Sequence, residues 1–436
     1  MNKQIFNSAL LSEQYTKYTH SSGLEIYIFP KELTTFYAIL GVKYGSIHSS
    51  FSTKDFPQKN LTVPDGIAHF LEHKLFANED GSDAFERFCE LGADANAYTD
   101  TNKTAYLFSA TENFYESLEA LIEFVIHPYF TKENVSSEVG IITEEIKMYD
   151  DSPSDRCFYG MLEGMYEHHS ISKNICGTAE SIKNITPELL YSCYNLFYNF
   201  NNMALFICGN VDEEKIVKIC NELLPKASTP FNVLYPNENE NEKPHAYKSY
   251  TESKMQISKP LFNIGIKDTA IPDDVNERQK RDATYSILDE IIFSRAGDLY
   301  ASLFERNIIS PHLSYGYTIS PTSAYNSIAG EADNPNQVLD EILAYIENLK
   351  AQGLSYEDFL RGKRVMYAEF VKSFDSTENI ANNLMSFNFD GTELLSYADT
   401  IESVTFEDIN ELFKTAFDKE KITLSVILPL DNKEEI

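Results

Sequence analysis

Two stretches of this chain, 219 residues apart, follow one pattern without a gap. Thr186-Pro187-Glu188 opens a helical pattern that leads to the apolar run Met203-Ala204-Leu205-Phe206-Ile207-Cys208, then to Val211-Asp212. Thr405-Phe406-Glu407 opens another that leads to Ile422-Thr423-Leu424-Ser425-Val426-Ile427, then to Leu430-Asp431. Each threonine stands where an N-cap hydroxyl would take up a free backbone N–H, and Pro187 suits the first helical position. A helix and an apolar strand recurring at half the chain length restrict the fold to two homologous units. The 436 residues are too many for one core and divide naturally into two domains of about 200 residues each.

The join is marked by composition. Pro225, Pro230 and Pro236 are followed by the polar run Asn237-Glu238-Asn239-Glu240-Asn241-Glu242-Lys243-Pro244. Such a stretch predicts a linker over 225–258, between a first lobe at 1–224 and a second at 259–436. In the first lobe, Leu24–Phe29, Phe36–Val42 and Ala105–Phe108 read as strands. Helices are expected around Ile67–Phe76, Asn113–Ile126 and Glu133–Tyr149. Strands followed by helices in this order predict an α+β fold, duplicated, each copy a mostly antiparallel sheet with helices on one face.

The chemistry is concentrated in Gly66-Ile67-Ala68-His69-Phe70-Leu71-Glu72-His73-Lys74-Leu75-Phe76. A helix turns about 100° per residue, so His69, Glu72 and His73 project from one face. Two imidazoles four residues apart suit a single zinc ion. A carboxylate beside the second imidazole reaches water at such a metal without being a ligand, and serves as its base. Ile67, Phe70 and Leu71 would seat the helix on the sheet. Three fixed residues are a short pattern, so a third ligand must come from elsewhere. The helix over Glu133–Tyr149 offers Glu138, Glu144 and Glu145. Glu138 and Glu145 are seven apart and share a face within about 20°; periodicity alone does not separate Glu144 from Glu145.

The second half carries a matching segment from which the motif is missing. Leu288-Asp289-Glu290-Ile291-Ile292-Phe293 parallels Leu71-Glu72-His73-Lys74-Leu75-Phe76. Ser286 then stands for His69, Asp289 for Glu72 and Glu290 for His73. One active copy and one inactive copy is the layout this predicts.

Together with Gly92-Ala93-Asp94-Ala95-Asn96-Ala97-Tyr98-Thr99, Glu138-Val139-Gly140-Ile141-Ile142-Thr143-Glu144-Glu145-Ile146 and Gly177-Thr178-Ala179-Glu180-Ser181-Ile182, the motif resembles the pitrilysin/insulinase family of zinc metallopeptidases. The likeness is to its short-chain branch, which includes mitochondrial processing peptidase. It covers nearly all of the first half and, more weakly, the second. The resemblance implies Zn2+ held by His69, His73 and Glu145, with Glu72 as catalytic base and Glu138 as supporting carboxylate. It implies that Asn96, Ala97 and Tyr98 lie on an edge strand that pairs with the substrate backbone, a form of β-augmentation. It also implies an arginine and a tyrosine in the second half. Phe304 falls where the arginine is expected, with Arg306 two places on, and Tyr315 is the tyrosine candidate ahead of Tyr317.

The activity so implied is zinc-dependent endopeptidase cleavage of oligopeptides or unfolded segments, including maturation of a ribosomally made peptide. The competing expectation is a non-catalytic subunit of a peptidase pair. The partners implied are a peptide substrate and either a second copy or a homologous chain lacking the zinc motif. Composition narrows the remaining classes. A formal charge of -31 leaves no basic patch for nucleic acid. No apolar run of about 18 residues exists to span a membrane, and the segment Met1–Asn7 is too short and polar for a signal peptide. Six scattered cysteines without a Cys-x-x-Cys pair read as reduced, mostly buried thiols, and predict a cytoplasmic protein.

Overall fold

The structure, a computed structural model, describes residues 1–54 and 56–430. The chain forms two compact units, each assembled from three segments. The first unit holds Met1–Ile146, Lys173–Pro236 and Val371–Leu395; the second holds Lys147–Ser172, Asn237–Phe370 and the chain from Ser396 onward.

The first unit contains a seven-stranded sheet. Its order is Asn2–Ser8, Glu13–Thr19, Glu25–Pro30, Met203–Gly209, Phe36–Val42, Thr104–Ala110, Asp94–Thr99. Only Glu25–Pro30 and Met203–Gly209 run parallel; the other neighbours are antiparallel. The second unit contains five strands in the order Tyr250–Met255, Ile422–Pro429, Leu261–Asp268, Ala324–Glu331, Leu313–Ile319. Again the first two neighbours are parallel and the rest antiparallel. The five strands of the second sheet thus repeat the last five of the first, strand for strand.

The repeated segment is the centre of each sheet. Thr186 caps the helix Pro187–Phe197 by accepting from the Leu189 N–H. Thr405 caps Phe406–Ala416 with a full capping box, its hydroxyl accepting from Asp408 N–H while Asp408 reaches back. A 3-10 turn follows each helix, at Phe200–Asn202 and Lys419–Lys421, and then the central strand. Asp431, at the end of the second copy of the pattern, lies outside the described residues.

Two expectations need correction. The lobes are not consecutive, and helices do not lie on one face only. Met203–Gly209 is buried at every position, so it needs apolar cover on both sides. The helix Thr377–Phe389, from the far half of the chain, supplies one cover by packing on Met203–Gly209 and Phe36–Val42. The helix Pro153–Met165, from the near half, likewise packs on Ile422–Pro429 and Leu261–Asp268. Both dock over a glycine. A Cβ on Gly41 would lie 2.6 Å from Met385 Sδ and 2.8 Å from Phe389, and one on Gly265 would lie 2.5 Å from Met161 and 2.9 Å from Met165. Each of these three positions stands 224 residues from its counterpart, so the exchange is part of the duplication.

The stretch expected as a linker also carries structure. Val233–Leu234 pairs with Ser52 and Thr53, and Tyr250–Met255 is an edge strand of the second sheet. Its sequence Tyr-Thr-Glu-Ser-Lys-Met is polar because one face alternates outward, which hid the strand from a reading based on composition.

Candidate metal centre

The motif helix spans Ile67–Leu75. It begins at Gly66, whose φ of 92° favours glycine. A Cβ at Gly66 would stand 2.3 Å from the Cys176 carbonyl oxygen, and one at Gly177 would stand 2.3 Å from the Asp65 carbonyl oxygen. The loop over 174–178 is therefore pressed backbone to backbone against the helix start. The Ser181 hydroxyl donates to the same Asp65 carbonyl at 2.7 Å. Ile67, Ala68, Phe70, Leu71 and Leu75 are buried, and the helix packs on Thr104–Ala110 and the edge strand Asp94–Thr99.

The second contributing helix is Lys132–Asp150. Val135, Glu138, Ile142 and Ile146 form its buried face. Glu145 is half-buried at the border of that face, and Glu144 is exposed. Burial thus separates the two glutamates that periodicity left together.

The side chains converge within the first unit. His69 Nε2 lies 3.5 Å from Glu145 Oε1, and His73 Nε2 lies 3.3 Å from Glu145 Oε2. His73 Nδ1 meets Glu138 Oε1 at 3.0 Å, and Lys74 Nζ donates to Glu138 Oε2 at 2.8 Å. The Thr99 hydroxyl donates to Glu72 Oε2 at 2.6 Å. Cys176 Sγ lies 3.9 Å from His69 Nε2.

The electrostatics are those of a site built around positive charge. Hydrogen bonds from His69 and His73 hold the Glu145 carboxyl well below the usual carboxylate range. Burial disfavours a charged His73, but its bonds to Glu138 and Glu145 outweigh this and raise it to about 9. Burial likewise works against ionised Glu138, and the bonds from His73 and Lys74 prevail and lower it. Glu72 goes the other way: burial pushes its carboxyl up, against the pull of the two imidazoles and Thr99.

The residues fit a zinc ion. Two imidazoles and one carboxylate are a zinc donor set. Zinc–nitrogen and zinc–oxygen bonds of about 2.1 Å place two tetrahedral ligand atoms about 3.4 Å apart. The two imidazole-to-Glu145 separations, 3.3 and 3.5 Å, bracket that value. The buried His69 Nδ1 has no hydrogen-bond partner.

Asn96, Ala97 and Tyr98 lie on the edge strand, which pairs on one side only, with Thr104–Ala110. Asn96 is exposed and its Oδ1 accepts from the Ala97 N–H at 2.8 Å, while the Tyr98 hydroxyl donates to Asn382 at 3.1 Å. Tyr315 belongs to the second unit, where its hydroxyl donates to Glu290 at 2.8 Å. Tyr317 donates to Asp268 at 2.7 Å and stacks on Tyr285 with centroids 3.8 Å apart. Arg306 Nη1 donates to Glu341 at 2.8 Å, and Phe304 is exposed.

Sequence reasoning missed three residues. Thr99 orients Glu72 across a tertiary contact that no local pattern encodes. Lys74 ties down Glu138; a lysine between Leu71 and Leu75 on a buried helix was a usable signal, because a buried ammonium needs a partner. Cys176 gave no signal beyond its place beside Gly177.

Comparison with known proteins gives the family. The family model described as "Insulinase (Peptidase family M16)" matches residues 62–179, and "Peptidase M16 inactive domain" matches 184–366. The chain is 36% identical over 411 residues to the zinc protease YmfH of Bacillus subtilis, covering 94% of this chain and 95% of that one. It is 24% identical to the zinc protease YmxG of the same organism, over 95% and 98% of the two chains. A crystal structure of an M16-like peptidase from Alicyclobacillus acidocaldarius superposes with a TM-score of 0.90 and 28% identity, covering 98% of this chain and 100% of the other. With that match running through the zinc-type motif, the inactive counterpart and the whole two-unit fold, this chain belongs to peptidase family M16, the insulinase family.

Proposed function

We propose that this protein is a zinc-dependent endopeptidase that cuts extended, unfolded peptides. The observation that carries the reading is that the Nε2 atoms of His69 and His73 lie 3.5 and 3.3 Å from the Glu145 carboxylate, with Glu72 close enough to feel both imidazoles. Relatives named zinc proteases, similar along their whole length, support it. Zinc, when bound, supplies Lewis acidity that polarises a peptide carbonyl and makes water acidic near neutral pH.

The chain's own groups do the rest. His69, His73 and Glu145 hold the ion. Glu138 accepts the His73 Nδ1–H, which fixes the ring so that Nε2 faces inward, and Lys74 fixes Glu138 in turn. Glu72, raised by burial, takes the proton of the attacking water and returns it to the leaving amine. Thr99 holds one Glu72 oxygen, leaving the other for that transfer. The free edge of Asp94–Thr99 takes the substrate backbone as an added strand, so that any extended sequence fits. The substrate includes peptides under maturation, the protein pairs with a second copy or a homologous chain, and six cysteines outside any disulfide among the described residues suit a cytoplasmic setting.

The test is Glu72→Gln. Turnover of a peptide library should fall about 100- to 10,000-fold with zinc content unchanged. Native turnover by this variant would remove the base from the reading.

A further inference from the structure

Beside the two imidazoles and the carboxylate proposed above stands a thiol, which shares a cluster of possible ligand atoms with His69 and Glu145. Among the described residues, His69, Glu145 and Cys176 each present a ligand atom, all within 4.8 Å of one another. Resting on the zinc reading above, we propose that Cys176 is a fourth protein ligand, so that the metal site rests in a closed, four-coordinate form.

Geometry supports this first. Bonds of about 2.3 Å to sulfur and about 2.05 Å to nitrogen place the two atoms about 3.6 Å apart on a tetrahedron. Cys176 Sγ and His69 Nε2 stand 3.9 Å apart, so a shift of about 0.3 Å completes the contact. The position is fixed by the fold. The Cys176 N–H donates to Asn174 Oδ1 at 2.9 Å, the Gly177 N–H donates to the Asn174 carbonyl at 2.9 Å, and the Gly66–Cys176 and Gly177–Asp65 contacts leave no room for a Cβ. The loop that carries the thiol is thereby bolted to the helix that carries both histidines.

Charge supports it second. Two neutral imidazoles, one carboxylate and one thiolate balance a divalent cation with no residual charge. That is the favoured state where His69 and Cys176 are both buried, 6% and 4% exposed. Burial pushes the thiols of Cys157, Cys208 and Cys220 up to about 12 and that of Cys193 to about 11. None of them joins a ligand cluster among the described residues.

A zinc ion with four protein ligands has no open position. On loading, the Cys176 thiol gives its proton to solvent and its sulfur lone pair to the metal. On opening, the thiolate leaves the metal and takes a proton back, and the fourth position passes to water or the substrate carbonyl. Release of Cys176 is then the step that admits substrate.

The test uses the full-length protein loaded with cobalt(II). A thiolate ligand gives a ligand-to-metal charge-transfer band in the near ultraviolet, apart from the visible d–d bands of a tetrahedral site. The native protein should show both, and C176S should keep the visible bands and lose the ultraviolet one. Visible bands alone in the native protein overturn the thiolate ligand and leave the histidine–glutamate site standing. No cobalt bands and no retained metal overturn the zinc reading itself. Should C176S fail to fold, X-ray absorption at the zinc edge of the native protein decides: a sulfur shell at about 2.3 Å upholds the proposal, and a nitrogen–oxygen shell alone refutes it.

Discussion

Asp289 stands in the second unit where Glu72 stands in the first, and it has lost everything that makes Glu72 useful. It is 1% exposed, and Asn326 Nδ2 donates to its Oδ1 at 2.6 Å. Asp289 Oδ2 and Asn326 Oδ1 are both buried without a partner, and a proton on the carboxyl would serve both. Burial pushes this carboxyl up to about 8, against the pull of Asn326 and with a smaller push from Asp282. A folded value raised above the unfolded one means that the folded chain holds the proton more tightly. The stability this brings is full below about pH 4, is lost as pH rises, and is gone above about pH 8. At about 1.4 kcal/mol per pH unit, the loss between pH 5 and pH 8 is about 4 kcal/mol, reduced to about 2–4 when water entry and relaxation are allowed for. Asp289→Asn removes the titration while keeping an acceptor for Asn326. Urea unfolding of both proteins, followed by circular dichroism across that range, cancels every other titrating group in the difference. The stability of the variant relative to the native protein should rise by about 2–4 kcal/mol between pH 5 and pH 8. Parallel stability curves would refute the assignment of a buried, proton-holding carboxyl at this site.

Three further outcomes follow from the same structure. Thr99→Val removes the charge-assisted bond to Glu72, worth about 1.5–3 kcal/mol, so kcat should fall roughly 10- to 100-fold with zinc content intact by mass spectrometry; an unchanged kcat would show that Glu72 is oriented by other groups. Glu138→Gln should weaken zinc binding about 10- to 100-fold in competition with a chelator, and by leaving Lys74 short of a charged partner should lower stability by about 1–3 kcal/mol. Gly265→Val, despite the better strand propensity of valine, should cost about 1–3 kcal/mol by displacing Met161 and Met165, read as a lower urea midpoint; a neutral result would mean that the crossing helix is free to lift.

The duplication, the two caps at Thr186 and Thr405, and the shared face of His69, Glu72 and His73 were legible because each is a local pattern. Capping and helical periodicity act over a few residues, and a spacing repeated through the chain survives in the sequence itself. The resemblance to the family likewise placed Glu145 and Glu138 from linear motifs.

What tertiary structure alone decided has a common cause: each item depends on residues brought together from distant segments. Burial, not spacing, set Glu145 apart from Glu144. The exchange of Pro153–Met165 and Thr377–Phe389 between units answers the need of a fully buried central strand for cover on both faces, a need that the strand's own letters state without naming the partner. Thr99 on Glu72, Lys74 on Glu138 and Cys176 on His69 are contacts across 27, 64 and 107 residues of chain. Sequence sets which side chains a helix or strand presents; only packing sets which of them meet, because a metal site is a property of atoms within a few ångströms and the chain orders residues by another distance.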